Sequence, residues 1–155
     1  HTLQHSFPTR RSSDLEKIFY HRARRYHKVE WVADDKNYWC KDIDFIVTNP
    51  RTGETRTIEV KTDTRLYETG NLYIELENVH SKGGKGWYYF SEADIIAYCD
   101  YSAPDREIYL FSFDDLRATV NKREYAAAKC GADSKGILVP LRELKEVPSF
   151  RVLRK

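Results

Sequence analysis

The chain has 155 residues, a formal net charge of +2 and 14% aromatic residues. This length favours a single domain with a substantial hydrophobic core, and the lack of a long apolar run excludes a membrane-spanning helix. The low net charge excludes the overall basicity that would by itself indicate nucleic-acid binding. We therefore expect a soluble, cytoplasmic protein whose function comes from local clusters of residues.

The start of the chain is unusual, because the sequence contains no methionine. Residues 1–14 resemble translated sequencing-adapter sequence, and we interpret them as a non-native leader. A targeting peptide is the alternative, although the segment lacks the apolar core of one. We expect residues 15–155 to form one domain.

A helix is predicted from about Asp14, because apolar residues follow at spacings of three and four. They are Leu15, Ile18, Phe19, Ala23 and Tyr26. The opposite face is basic, and Arg22 and Arg25 are candidates for contacts with a phosphate backbone. An ordinary solvated charged face is the alternative. Residues 29–33 predict a short first strand.

Two further strands are predicted around a tight turn. They cover residues 41–47 and 57–61, and the intervening residues 49–54 contain the proline and glycine that commonly reverse a chain. Side chains alternate between the two faces of a strand. One face of the first strand should therefore be apolar, formed by Ile43, Phe45 and Val47.

Acidic side chains converge on the other face of this predicted hairpin. Asp42 and Asp44 point together from the first strand, while Glu59 and Lys61 share a face of the second. Two carboxylates are hard oxygen ligands that suit Mg²⁺, and such an ion can polarise a phosphoryl oxygen. A lysine beside them can donate to a phosphate or position the attacking water. The pattern thus predicts a metal site with an amine beside it.

These residues resemble the D…(D/E)xK signature of the PD-(D/E)xK nuclease superfamily, and especially its small resolvase-like members. Asp44 is followed, after fourteen intervening residues, by Glu59-Val60-Lys61. The resemblance implies an α/β, restriction-endonuclease-like core, which is a mixed β-sheet flanked by helices. It also implies that Asp44, Glu59 and the Val60 carbonyl bind Mg²⁺, for which Mn²⁺ can substitute, and that Lys61 assists the nucleophilic water. The chain departs from the signature in having Ile43 where it has proline.

Other residues can complete this site. The resemblance implies an additional acid from a helix before the strands, which Glu16 matches. Glu75, on a strand predicted at residues 71–78, can join the acidic set, although it can equally be an edge-strand acid that discourages sheet pairing. Lys82 and Lys85 lie in a glycine-rich loop that can embrace a phosphate, and a simple connecting loop is the alternative.

The rest of the chain predicts alternating helices and strands. We expect a helix beginning at Ser91 and running through Tyr98, a strand at 106–112, helices at 113–120 and 121–130, and a final strand at 136–140. The aromatic residues 87–90 are expected in the core. The three cysteines, Cys40, Cys99 and Cys130, lack zinc-site spacing and are interpreted as buried free thiols.

The combined prediction is a Mg²⁺-dependent endonuclease that hydrolyses phosphodiester bonds of branched or duplex DNA, with a homodimer expected by analogy with resolvase-like proteins. The alternatives are a catalytically silent nucleic-acid-binding or inhibitor protein with the same fold, and a module whose acidic face binds a basic protein. A polar sheet face that is merely solvated also remains open.

Overall fold

A six-stranded mixed β-sheet forms the centre of the structure, a computed structural model that describes residues 14–155. Helices flank this sheet and a three-stranded sheet packs against it, so the fold is mixed α/β. The strands are β1 (Lys28–Trp31), β2 (Phe45–Thr48), β3 (Thr55–Asp63), β4 (Asn71–Asn78), β5 (Ile95–Asp100), β6 (Ile108–Ser112), β7 (Ala127–Cys130), β8 (Ser134–Pro140) and β9 (Arg151–Leu153). The helices are α1 (Asp14–Ala23), α2 (Lys36–Trp39), α3 (Leu66–Thr69), α4 (Trp87–Phe90), α5 (Phe113–Val120) and α6 (Leu141–Leu144), with a 3₁₀ turn at Lys82–Gly84.

The strand order of the large sheet is β1-β2-β3-β5-β6-β9. Strands β3 and β5 run parallel, and the other neighbouring pairs run antiparallel. Between β3 and β5 the chain forms β4, which belongs to the small sheet of order β4-β8-β7. The small sheet therefore lies close to the end of β3.

Hydrophobic cores cover both faces of the large sheet. On one face Leu15 and Phe19 of α1 pack with Phe45 and Ile58 of the sheet. The opposite core joins the large sheet to the small sheet and the short helices, and its buried members include Leu72, Ile74, Ile96, Tyr98, Phe111, Phe113 and Val139. Strand β3 is thus fixed by packing from both sides.

The end of β3 extends past the beginning of β2. Phe45, the first residue of β2, pairs with Ile58, whereas β3 continues to Asp63. Ile58 and Val60 face the core below α1, so Glu59 and Lys61 point to the opposite face. Beyond Ile58, β3 is therefore no longer paired with β2, and the side chains of Glu59 and Lys61 project from this unpaired part of the strand.

Several elements predicted from the sequence are confirmed. Helix α5 has the predicted bounds, and the 49–54 turn closes through the Asn49 N–H, which donates to the Glu54 carbonyl at 2.8 Å. Helix α1 covers Asp14–Ala23, within the predicted helical segment, while the rest of the suggested leader, residues 1–13, lies outside the described residues. Strand β4 shows the predicted alternation, since Leu72 and Ile74 are fully buried.

Two predicted helices are wrong. The segment after Ser91 forms strand β5, and its β-branched and aromatic residues are buried on both faces of the sheet. Because both faces are apolar, the sequence lacks the alternation of polar and apolar residues that marks most strands. Residues 121–130 form a turn and strand β7, although their alanines favour a helix. Pairing with β8, reached through Gly131 at φ 69°, overrides that local preference. Strand β8 is also not the last, because β9 follows and pairs with β6.

Three smaller expectations are corrected as well. Ile43 packs in the core opposite to that of Phe45, because the strand starts only at Phe45 and Asp42 has a left-handed backbone with φ 58°. Within the aromatic segment 87–90, Tyr88 is buried but Tyr89 is 60% exposed. Only one of the cysteines is buried, since Cys99 is enclosed whereas Cys40 and Cys130 are exposed.

Candidate functional site

Lys61 lies between two carboxylates and an aromatic ring. Its ammonium nitrogen is 3.0 Å from Glu59 Oε1 and 3.1 Å from Asp42 Oδ2, and it lies 5.3 Å from the centre of the Trp87 ring. Burial alone would lower the pKa of Lys61, but the charges of Glu59 and Asp42 outweigh it and raise the pKa. The lysine is therefore held as a protonated donor.

Asp44 reaches the same place from the residue just before β2. Its Oδ2 accepts a hydrogen bond from the Val60 N–H at 2.9 Å. Burial raises the pKa of Asp44 to about 6; the Val60 N–H opposes the rise and the negative charge of Glu16 adds to it. The sequence predicted Asp44 within the strand. In the structure it lies one residue before β2 begins.

Glu59 is the most enclosed acid of the group, at 5% exposure. Burial and the charges of Asp44 and Asp42 raise its pKa well above the usual value, against the opposing charge of Lys61. Its Oε2 is buried and accepts no hydrogen bond from residues 14–155. A buried carboxylate oxygen without a donor is costly, and a cation beside it would remove that cost.

The backbone of β3 adds another oxygen at this point. The N–H and C=O of one strand residue point to the same side. Because the Val60 N–H bonds to Asp44, the Val60 carbonyl is directed to that side too, where β3 has passed the start of β2. Asp44, Glu59 and this carbonyl make an all-oxygen donor set, and Mg²⁺ typically takes one or two protein carboxylates. The residues therefore fit a hard divalent cation.

The structure places the two additional acids differently. Glu16, in the first turn of α1, lies close enough for its charge to raise the pKa of Asp44. Glu75 belongs to the small sheet, not to the sheet that carries Glu59. Its carboxylate accepts from the Ser134 hydroxyl at 2.8 Å and from the Trp87 N–H at 3.3 Å. Glu75 thus holds the small sheet and α4 together.

A cavity of about 700 Å³ adjoins Lys61 on the side of the small sheet. Its wall combines cationic, aromatic and acidic residues from β3, the N-cap of α3, β4, α4, β5, β7 and β8. The principal ones are Lys61, Asp63, Arg65, Tyr73, Glu75, Trp87, Lys129, Cys130 and Leu138. Sequence reasoning missed Arg65, Tyr73 and Lys129, because only the packing of the two sheets brings them together.

The four predicted nucleic-acid contacts have different surroundings. Arg22 is 9% exposed, and its guanidinium donates to the carbonyls of Arg106 at 2.8 Å and Leu153 at 3.0 Å. These bonds tie α1 to the far edge of the sheet, so Arg22 is not available to bind a phosphate. Arg25, Lys82 and Lys85 are exposed, although Arg25 also donates to the Arg154 carbonyl at 2.6 Å.

Comparisons of the chain with protein-family models, with curated proteins and with solved structures gave no match. Within residues 14–155, no three or more His, Cys, Asp and Glu side chains form a preassembled metal-binding group. The fit to a cation rests instead on the two carboxylates and the carbonyl. In the same part of the chain, no helix is both long and apolar enough to cross a membrane.

Proposed function

We propose that this protein is a metal-dependent nuclease of the PD-(D/E)xK type, which hydrolyses phosphodiester bonds of DNA. The observation that carries the proposal is the convergence of Asp44, Glu59 and Lys61 where β3 extends past β2. The carboxylate of an ordinary surface acid is bonded to water or to a neighbouring cation, whereas Glu59 is buried and one of its oxygens has no hydrogen-bond donor among the described residues. Such an arrangement is costly for the fold, and cost of this kind concentrates at functional sites.

Asp44, Glu59 and the Val60 carbonyl would hold Mg²⁺ or Mn²⁺. Glu16 lies near enough for its negative charge to add to the negative charge of the site. When bound, the metal would polarise the phosphoryl group and promote formation of the nucleophile. Lys61 contributes a protonated amine, because Glu59 and Asp42 raise its pKa. It therefore orients water or a phosphate oxygen by donating hydrogen bonds.

The neighbours of Lys61 have positioning roles. Asp42 and Glu59 hold the ammonium nitrogen from two sides at 3.1 and 3.0 Å, and the Trp87 ring covers a further side. A lysine with four free rotors loses considerable entropy when it is fixed. These contacts fix the side chain before substrate arrives, so the entropy is not lost during the reaction and the amine is already in place. Branched or duplex DNA as substrate and the homodimer stay predictions from the resemblance, and a cytoplasmic location stays a prediction from the sequence.

The test is DNA cleavage by the full chain. End-labelled single-stranded, duplex, flapped and four-way-junction DNAs are incubated with Mg²⁺, Mn²⁺ or EDTA. We expect cutting in either metal and none in EDTA, and cutting lost in Glu59→Gln and Lys61→Ala but kept in the exposed controls Glu146→Gln and Lys122→Ala. Circular dichroism of each variant checks its folding. Binding of DNA without cutting in either metal, unchanged in the two site variants, would favour a catalytically silent binding protein.

A further inference from the structure

The cavity beside Lys61 is a second feature of the proposed active site. Its wall contains charged and aromatic side chains, whereas a packing defect in a core is lined by apolar ones. It lies between the end of β3, helix α3 and the small sheet, and Lys61 belongs to its wall. A group bound in the cavity would therefore reach the amine of the proposed catalytic site directly. A volume of about 700 Å³ lies within the range of pockets that bind small molecules and cofactors.

Apart from Lys61, the cationic residues of the wall are not used by the fold. The side chains of Arg65 and Lys129 are exposed and make no ion pair or hydrogen bond with any part of residues 14–155. The two acids of the wall are, by contrast, occupied. Asp63 Oδ2 accepts from the Tyr98 hydroxyl at 2.6 Å and its Oδ1 from the Arg65 backbone N–H at 2.6 Å, and Glu75 accepts from the Ser134 hydroxyl. The oxygens of the two acids are thus engaged by neutral donors, whereas the N–H donors of the Arg65 and Lys129 side chains remain free to bind phosphate.

Flat and apolar surfaces complete the wall. Tyr73, Trp87 and Leu138 line it, and the Tyr73 hydroxyl is already bonded to the Ser134 hydroxyl at 2.7 Å. The Tyr73 hydroxyl is therefore already engaged, and the ring is the other part of this side chain that a ligand could contact. Aromatic surfaces next to arginine and lysine suit an unpaired nucleotide, because bases stack on rings and guanidinium groups while phosphates bind the cations.

We infer that this cavity binds an unpaired segment of the nucleic-acid substrate, with a base among Tyr73, Trp87 and Leu138 and its phosphates on Arg65 and Lys129. The occupant is single-stranded, because a cavity of this volume admits a nucleotide but not a base-paired duplex. The inference rests on the proposed nuclease function and specifies its substrate class, namely a strand end or unpaired region that reaches Lys61 through the cavity.

The first test is binding in EDTA, where cleavage does not interfere. Fluorescence anisotropy compares a labelled twelve-residue oligothymidylate with a blunt duplex, for the full chain and two double variants. Arg65→Ala/Lys129→Ala should weaken single-strand binding about tenfold and lower the salt dependence by about 0.7 for each lost phosphate contact. Lys122→Ala/Lys145→Ala removes the same charge from exposed sites outside the cavity and should change affinity less than about twofold.

A cysteine in the wall gives an independent readout of where the strand lies. Cys130 is exposed and lines the cavity, whereas Cys99 is buried. In a Cys40→Ser protein, a neutral maleimide should therefore label Cys130 alone. Saturating oligothymidylate should slow this labelling severalfold, and the blunt duplex should not.

The outcomes separate this inference from the nuclease proposal. If the protein cuts DNA with Mg²⁺ but Arg65→Ala/Lys129→Ala binds the single strand as the control pair does, or Cys130 labels at the same rate with the strand bound, the cavity inference is overturned alone. Failure of the oligonucleotide to bind at all also overturns it. If the single strand binds and protects Cys130 but no nucleic acid is cut in any metal, the nuclease proposal fails and the cavity remains a single-strand binding site.

Discussion

Replacing Asp44 with asparagine should make the metal-free protein more stable above neutral pH. Burial raises the pKa of Asp44 from 3.8 to about 6. An acid with a raised pKa holds its proton more tightly in the folded than in the unfolded state. The free energy of unfolding therefore falls as pH rises from about 4 to about 6, and Asp44 destabilises the fold fully above that window.

The magnitude follows from the size of the pKa change. At about 1.4 kcal/mol for each pKa unit, the rise from 3.8 to about 6 corresponds to about 3 kcal/mol at pH 8. Asparagine carries no charge, and its amide oxygen can still accept from the Val60 N–H, although that bond is weaker by about 1 kcal/mol than one to a carboxylate. We therefore expect Asp44→Asn to be about 2 kcal/mol more stable than the wild type at pH 8 and equal or slightly less stable at pH 4.

Urea unfolding followed by tryptophan fluorescence, in EDTA and at one-unit steps from pH 4 to pH 8, measures this difference. Asp105→Asn is the matched control, because Asp105 is exposed and its side chain makes no hydrogen bond with the described residues. The reasoning is refuted if Asp44→Asn is less stable than the wild type by the same amount at every pH, since Asp44 would then act only as a structural acceptor. In Mg²⁺ at pH 8 the wild type should gain about 2.7 kcal/mol at one hundred times its dissociation constant, and Asp44→Asn should gain little.

Three further predictions concern the fold around the site. Gly136→Ala should lower the free energy of unfolding by about 3 kcal/mol, because its Cβ would lie 2.2 Å from the Ile74 carbonyl oxygen, whereas Gly53→Ala, in open space at φ 72°, should cost only about 1 kcal/mol; equal losses in urea unfolding would contradict this. Arg22→Ala should cost about 3 kcal/mol by leaving buried carbonyls without their donor, yet leave oligonucleotide affinity unchanged at low temperature; a specific loss of affinity would restore Arg22 to the binding surface. Burial raises the pKa of the Cys99 thiol to about 11, so titration with a disulfide reagent at pH 8 should find two fast thiols and a third only after denaturation; three fast thiols would show that Cys99 is accessible.

The local geometry of the site could be predicted from the sequence because it depends on strand alternation. Glu59 and Lys61 share a face of β3 simply because they are two residues apart, and the structure confirms this with a 3.0 Å contact. The turn at 49–54 was equally readable from its proline and glycine. Both features are set by interactions within a few residues, which is the range at which sequence patterns are informative.

The features that depend on distant contacts could not be predicted in this way. Strand β5 looks helical because the hydrophobic cores on the two sides of the large sheet bury both of its faces. Arg22 looks like a surface cation because its partners, the carbonyls of Arg106 and Leu153, are more than eighty residues away. Glu75 alternates as a strand acid should, but the sequence does not reveal that β4 leaves the large sheet.

The most direct test of the account is the single-turnover rate of DNA cleavage by the wild type and by Glu59→Gln in Mg²⁺. Glutamine keeps the size of the side chain but removes the charge that would hold the metal, so the variant should fold and lose cleavage by about a hundredfold or more. Glu146→Gln should cut at the wild-type rate. Cleavage by Glu59→Gln at the wild-type rate, or cleavage by the wild type that persists in EDTA, would contradict the metal-dependent nuclease.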